Sequence, residues 1–227
     1  MATHLDLEEQ EQLDQLKAFW KKYGNVITWL LIAVLGGYAA WNGWNWYQRD
    51  QASKAGAMYD QLDKAAQAGD VDQAARIFAD MKGRYPSTAF TEQAGLLAAK
   101  LQFDKGKADD ALATLAWVEG NAAETEYRTI ASLRAAGVLL DQKKPDDALK
   151  RLDAIKLKDG APEFGALVED RRGDILMSQG KADDAKAAYT KAWKAMDDKL
   201  EYRRLIEAKL TALGATPDAA AKPGTTP

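Results

Sequence analysis

The chain contains no cysteine and a single histidine, His4, close to its N-terminus. The first absence excludes disulfides, thiolate nucleophiles and Cys-ligated zinc or iron–sulfur centres. The second excludes a Ser-His-Asp triad in the body of the chain and any multi-His metal site. Carboxylate and lysine chemistry survive this elimination, but no motif supports either, so the chain reads as non-enzymatic, with no catalytic residue, cofactor or metal. Proline and glycine, at 6 and 17 of 227 residues, are too scarce for a low-complexity chain. An excess of one charge is also missing. With 31 basic and 34 acidic residues the net charge is −3, and no basic field marks a nucleic-acid binder.

What is present begins with a gap in the charge pattern. The 26 residues 23–48, between Lys22 and Arg49, carry no formal charge. As a helix they reach about 39 Å, more than the roughly 30 Å of a bilayer's hydrocarbon core. Residues 26–40 are almost continuously apolar, while Trp29, Tyr38, Trp41, Trp44, Trp46 and Tyr47 gather toward the ends, most of all the distal one. Indole and phenol rings favour headgroup level, where the ring is half dry and the polar tip is wet. The run reads as a transmembrane helix. A buried core helix is rarely uncharged for so long, and a cleaved signal would start with basic residues, not with Asp6, Glu8, Glu9, Glu11 and Asp14. Its small-residue site, Gly37-Tyr38-Ala39, is not of the Ala-x-Ala kind.

Lysines and arginines near the two ends are tied, Lys17, Lys21 and Lys22 against Arg49, Lys54 and Lys64, so the positive-inside rule does not orient the span. Ala33, Gly36, Gly37 and Ala40 recur three and four residues apart, a spacing that lets a second membrane helix approach closely. Before the span, residues 5–22 read as a short amphipathic helix with Leu13, Leu16 and Trp20 on one face, acids early and lysines late, as the helix dipole favours.

The rest of the chain repeats. Gly69-Asp70-Val71-Asp72-Gln73-Ala74 aligns with segments starting at Gly106, Lys143 and Gly180, each step being 37 residues. In each copy a glycine, or Lys143, ends one helix, and Asp72, Asp109, Asp146 or Asp183 is placed to cap the next. An alanine follows two residues later, and four residues after it a larger side chain: Phe78, Leu115, Leu152 or Tyr189. Alanine and large residue share one helix face. Seven residues upstream of each turn stand Leu62, Ala99, Ala136 and Gly173, mostly small, flanked by apolar residues such as Leu97, Leu101, Leu133, Leu140, Leu176 and Met177. These are expected to form the core.

Ala74, Phe78 and Pro86, and again Gly173, Gly180, Ala185 and Tyr189, resemble the tetratricopeptide repeat. The period is 37 where that repeat has about 34, and its first-helix tryptophan is absent, so divergent helix pairs are implied. Residues 198–213, with Leu200, Ile206, Leu210 and Leu213, read as the solvating terminal helix that such arrays need. The expected fold is all-α, a single N-terminal transmembrane helix followed by an α-solenoid of tetratricopeptide-like pairs. Its parts are an acidic tail (1–22), the span (23–48), a repeat domain of about four pairs plus a capping helix (49–213) and a disordered tail (214–227).

This order of parts, with the strings GLLAAKLQFDKGKADDA (95–111), SLRAAGVLLDQKKPDDALKRLDAI (132–155) and VEDRRGDILMSQGKADDA (168–185), resembles the ancillary subunit of the bacterial SecYEG translocon, the YfgM-like family. The resemblance implies an inner-membrane protein, tail in the cytoplasm and repeats in the periplasm. It implies an adaptor beside SecYEG and a membrane-anchored periplasmic chaperone or prolyl isomerase (PpiD-like), passing client polypeptides to chaperones. It also implies restraint of a stress-response regulator from the cytoplasmic side, which this tail matches only in being short and acidic. A membrane-tethered scaffold for another envelope assembly would share the same sequence features. Stacked helix pairs curve into a surface that holds an extended peptide or a partner's helix. Arg128, Arg134, Arg171 and Arg172, on first helices, are the candidate protein-binding residues, against the plainer reading of a solvated charged face.

Overall fold

The computed structural model describes residues 7–157 and 162–215, and among them every regular element is an α-helix, α1 to α9. The described chain divides into two compact units, one ending at Gln51 and one beginning at Ala52.

The first unit is the N-terminal part of α1 (Leu7–Gln67), a helix of 61 residues. No proline occurs before Pro86, so nothing removes an N–H from the helical ladder. The expected amphipathic segment therefore continues without a break into the uncharged stretch. An 18-residue window in it has a mean hydropathy of 1.4 and is 6% buried, which makes the helix long and apolar enough to cross a membrane. A core helix would be covered by the chain's own side chains. This one leaves Leu30, Leu35, Trp41 and Trp46 exposed.

The second unit is a succession of helix pairs. The end of α1 pairs with α2 (Val71–Arg84), α3 (Ala89–Asp104) with α4 (Ala108–Asn121), and α5 (Thr125–Asp141) with α6 (Pro145–Asp153). Then α7 (Pro162–Ser178) pairs with α8 (Ala182–Ala195), and α9 (Tyr202–Ala212) packs on α8. Each pair turns at the predicted position. Gly69, Gly106, Lys143 and Gly180 all have positive φ, between 62° and 77°. In each turn the next residue's N–H reaches back five residues, as from Lys107 to the Gln102 carbonyl at 2.8 Å, and the left-handed residue's N–H reaches back three, as from Gly106 to Phe103 at 2.8 Å. This is the Schellman closure, which satisfies carbonyls that a helix end leaves free. Gly214 (φ 68°) and Ala215 close α9 in the same way. The rest of the expected disordered tail, 216–227, lies outside the described residues.

One expectation is corrected here. The aspartates at 72, 109, 146 and 183 are not N-caps, because the left-handed turn delivers the chain into the helix two residues earlier. The N-caps are Asp70, Lys107, Lys144 and Lys181, and only Asp70 makes a side-chain capping bond, to Gln73 N at 2.9 Å. The four aspartates instead stand in the first turn, where the helix dipole favours negative charge. Three of them also reach the following turn. Asp72 accepts from Lys107 Nζ at 2.8 Å, Asp109 from Gln142 Nε2 at 2.9 Å and Asp146 from Gln179 Nε2 at 2.8 Å. The Lys107 ammonium beside it holds the Asp72 carboxyl below its usual range. The motif thus joins neighbouring repeats as well as starting helices.

The core follows the repeat. Ala74, Ala111, Ala148 and Ala185 are buried with Phe78, Leu115, Leu152 and Tyr189, and so are Leu62, Ala99, Ala136 and Gly173. Full burial of each large side chain contributes about 1.5–3 kcal/mol relative to exposure. Trp117 lies between the first two apolar clusters, with its ring edge-on to Phe78 at 5.4 Å. Met177, expected in the core, is 39% exposed, as it sits in the last turn of α7. The terminal helix begins at Tyr202, not 198. Asp197 Oδ1 takes the Lys199 N–H at 2.9 Å in a preceding turn, and Leu200 stays exposed while Ile206 and Leu210 are buried. A half-buried charge cluster, centred on the buried Asp170, holds α9 to α7. Lys209 Nζ donates to both Asp170 oxygens at 2.8 and 2.9 Å and to Asp174 Oδ1 at 2.7 Å. Tyr202 and Tyr189 donate to Asp170 and Asp174 at 2.7 and 2.8 Å. Burial, then the neighbouring carboxylates, push both phenols above their usual pKa.

Candidate protein-binding groove

The first helices of successive repeats touch directly, α3 on α5 and α5 on α7. Their common face bears a groove of about 390 Å³. Its floor is apolar, made by Ala99, Phe103 and Val138 of first helices and by Leu115 of α4. Its rim is charged, with Lys100 and Asp104 from α3, Arg134 and Asp141 from α5, and Arg171 from α7.

The repeat explains this arrangement. Arg134 and Arg171 are 37 residues apart, as are Asp104 and Asp141, so each pair takes one register position on neighbouring helices. Residues three, four and seven apart on a helix share a face, which puts Arg134, Gly137, Val138 and Asp141 along one side of α5. Phe90, Tyr127 and Phe164 follow the same 37-residue step, seven residues before Leu97, Arg134 and Arg171.

The four candidate arginines separate into two kinds. Arg128 donates from Nε to the Ala122 carbonyl at 2.6 Å, within the turn where Glu92 accepts the Ala123 N–H at 2.7 Å. It borders a smaller polar hollow with Thr125, Thr129 and Ser132. Arg172 bridges Asp153 at 2.8 Å and Glu169 at 3.2 Å. Both are engaged in holding helices together. Arg134 donates to the Leu96 carbonyl at 3.0 Å, and Arg171 stands 3.8 Å from Asp174. These two line the groove.

Lys100, Phe103, Asp104, Gly137 and Asp141 were not singled out from the sequence. The 37-residue register from Arg134 and Arg171, extended along the same face, is the signal that locates them. On α1, the small residues Ala33, Gly36, Gly37 and Ala40 are all exposed, and a Cβ at Gly36 or Gly37 would meet nothing within 4 Å. Among the described residues no side chain covers Gly36 or Gly37.

Helix pairs of a fixed period, closed by left-handed turns and presenting a first-helix groove, define a tetratricopeptide-like α-solenoid, here with an apolar helix at its N-terminal side. The chain belongs to the tetratricopeptide repeat-like domain family, which it matches over residues 17–215. It is similar to a Haemophilus influenzae protein named ancillary SecYEG translocon subunit, 30% identical over 108 residues, covering 45% of this chain and 52% of that protein. A Neisseria gonorrhoeae protein of the same name is 33% identical over 108 residues, 46% of this chain and 49% of that one. The chain spans about half the length of the curated relatives it matches.

Proposed function

We propose that this chain is a non-enzymatic, membrane-anchored adaptor at the Sec translocon. The observation that carries the reading is the similarity to two proteins named ancillary SecYEG translocon subunit, joined to a repeat-like domain and a helix whose 18-residue apolar window is 6% buried. In this reading residues 23–48 cross the inner membrane, the tail lies in the cytoplasm and the repeats lie in the periplasm. The repeat domain receives translocated polypeptides and passes them on with a membrane-anchored chaperone or prolyl isomerase of the PpiD type. The exposed stripe at Ala33, Gly36, Gly37 and Ala40 meets a translocon helix, and the groove face with Arg134 and Arg171 meets protein. A cytoplasmic-side restraint of a stress-response regulator belongs to the same reading, carried by the acidic tail.

The test is photocrosslinking in intact membranes from residues 30–45 and from the first helices, with mass spectrometry of the adducts. SecY, SecE or SecG from the span, together with a periplasmic chaperone from the repeats, is the expected result. A reproducible set of other envelope proteins instead would replace this reading with that of a scaffold for a different assembly. Replacing Gly36 and Gly37 by Leu is expected to reduce recovery of the translocon, and undiminished recovery would remove the small-residue stripe from the argument.

A further inference from the structure

The rim of the groove is not evenly neutralised. Lys100 is bound by Asp104 one turn along α3. Among the described residues Arg134 donates through Nη1 to a neutral carbonyl and forms no ion pair. Arg171 has Asp174 as its nearest carboxylate, at 3.8 Å, and Asp174 already accepts from Lys209 at 2.7 Å and Tyr189 at 2.8 Å. Asp141 lies two turns beyond Arg134, about 10 Å along the helix.

Gly137 shows where the Arg171 guanidinium lies. A Cβ built there would stand 3.7 Å from Arg171 Nη1, so Arg171 reaches across from α7 and lies over α5. Gly137 is three residues after Arg134, and such positions have Cβ atoms about 5–6 Å apart. Arg171 thus covers the space left by the missing side chain at 137, and Arg134, with Nη1 on the Leu96 carbonyl, borders the same groove, so two cations from successive repeats line it. Next to that spot is the apolar hollow over Phe103, Leu115 and Val138. Beyond Arg171 the first-helix face continues on α7, so a bound chain need not end at the seat.

We infer that the groove binds an extended peptide segment in which an Asp or Glu side chain sits between Arg134 and Arg171 and an apolar side chain two residues away fills the hollow. The spacing follows from strand geometry. Side chains two apart lie on one face and are about 6.6 Å apart at 3.3 Å per residue, which suits adjoining apolar and cationic seats. Two guanidinium groups present paired donors that match a carboxylate in geometry and charge. The inference rests on reading the repeats as the receiving part of the adaptor. It names the chemistry of the received segment and does not require the translocon.

The experiment uses the full chain in nanodiscs and a short fluorescein-labelled peptide, amidated at its C-terminus, with a central Leu-Ser-Glu, against the same peptide with Leu-Ser-Gln. Anisotropy is expected to show the Glu peptide binding about tenfold tighter, with the difference shrinking as salt rises. Arg134→Gln and Arg171→Gln should each remove most of that difference, whereas Arg204→Gln on α9 should leave it. Circular dichroism checks that each variant is folded, and Gly137→Leu, which fills the seat without removing a charge, should weaken the Glu peptide as well. Equal affinity for the two peptides, or unchanged affinity in the arginine variants, overturns the inference. So does binding seen only when the peptide's C-terminal carboxylate is free. Loss of peptide selectivity with translocon crosslinks intact defeats the groove alone. Selective peptide binding without those crosslinks defeats the translocon reading alone.

Discussion

A Cβ placed on Gly173 would lie 2.4 Å from Cε1 of Tyr189, closer than any side chain tolerates. The two belong to the helix-pair contact that is Ala99 and Leu115 in the second repeat and Ala136 and Leu152 in the third. The fourth repeat has exchanged size across the contact, a phenol on α8 against no side chain on α7. The ring so admitted donates its hydroxyl to Asp174 at 2.8 Å.

Gly173→Ala is therefore expected to destabilise the repeat domain by about 1–3 kcal/mol, overpacking outweighing the helix-propensity gain of roughly 1 kcal/mol. Adding Tyr189→Leu restores the alanine–leucine pairing of the third repeat. The double variant should be more stable than the sum of the two single losses predicts. Denaturant unfolding of all four proteins measures the coupling, and strict additivity would mean that the two positions do not share one space.

Lys143 occupies the place of a glycine. Its φ is 62°, beside 71°, 77° and 73° for Gly69, Gly106 and Gly180. A side chain in the left-handed region costs roughly 1–2 kcal/mol, part of which glycine's freer unfolded chain would offset. Lys143→Gly should thus stabilise the domain by up to about 1 kcal/mol, a rise in Tm of about 2–4 °C for a domain of this size. Gly106→Lys is the reverse experiment and should cost a similar amount. Thermal unfolding of both variants checks the pair.

These two sites show how far the sequence could be read. The 37-residue step located all four turns, and the alanine with its large partner located the core, because both depend on helical spacing within one repeat. The role of the aspartates was missed. Whether a residue caps a helix depends on where the left-handed turn releases the chain, a shift of two residues that composition does not register. The binding arginines could not be sorted either. Arg171 and Arg172 are neighbours in sequence, yet one lies over Gly137 of α5 and the other is held by Asp153 of α6 as well as by Glu169 of its own helix, and what separates them comes from other helices. The link between Asp170 and Lys209 falls outside the repeat register altogether.

Glu92 is 1% exposed, and its Oε2 has no hydrogen-bond partner among the described residues, while Oε1 accepts the Ala123 N–H at 2.7 Å. Burial raises its pKa above the usual carboxylate range. A raised carboxyl contributes stability that is fully present below its unfolded pKa and is lost as pH rises through the folded one. Glu92→Gln keeps the acceptor for Ala123 and removes the buried charge. It is expected to match the parent protein at acidic pH, below the unfolded carboxyl pKa of about 4.3, and to exceed it at pH 7 by on the order of 1 kcal/mol. Unfolding curves across that pH range decide the matter; a gain that did not grow with pH would show that the charge is not the cause.

Lys209 is the only cation within hydrogen-bonding distance of Asp170 among the described residues, and the Asp170 side chain is 3% exposed. Lys209→Met keeps the length and packing of the stem but strands that carboxylate with the Tyr202 hydroxyl alone. Breaking a buried ion pair from one side costs about 3–5 kcal/mol, because the remaining charge stays out of water. The loss should concentrate at the end of the solenoid. Amides of α9 are expected to lose hydrogen-exchange protection first, followed by α8, while α3 to α5 keep theirs, since contact between repeats is between neighbours. Adding Asp170→Asn removes the stranded charge and should recover part of the protection, which separates the electrostatic cause from lost packing of the lysine stem. Uniform loss of protection through all helices would instead mean that the repeats unfold as one cooperative unit and that the cap is not a separable element.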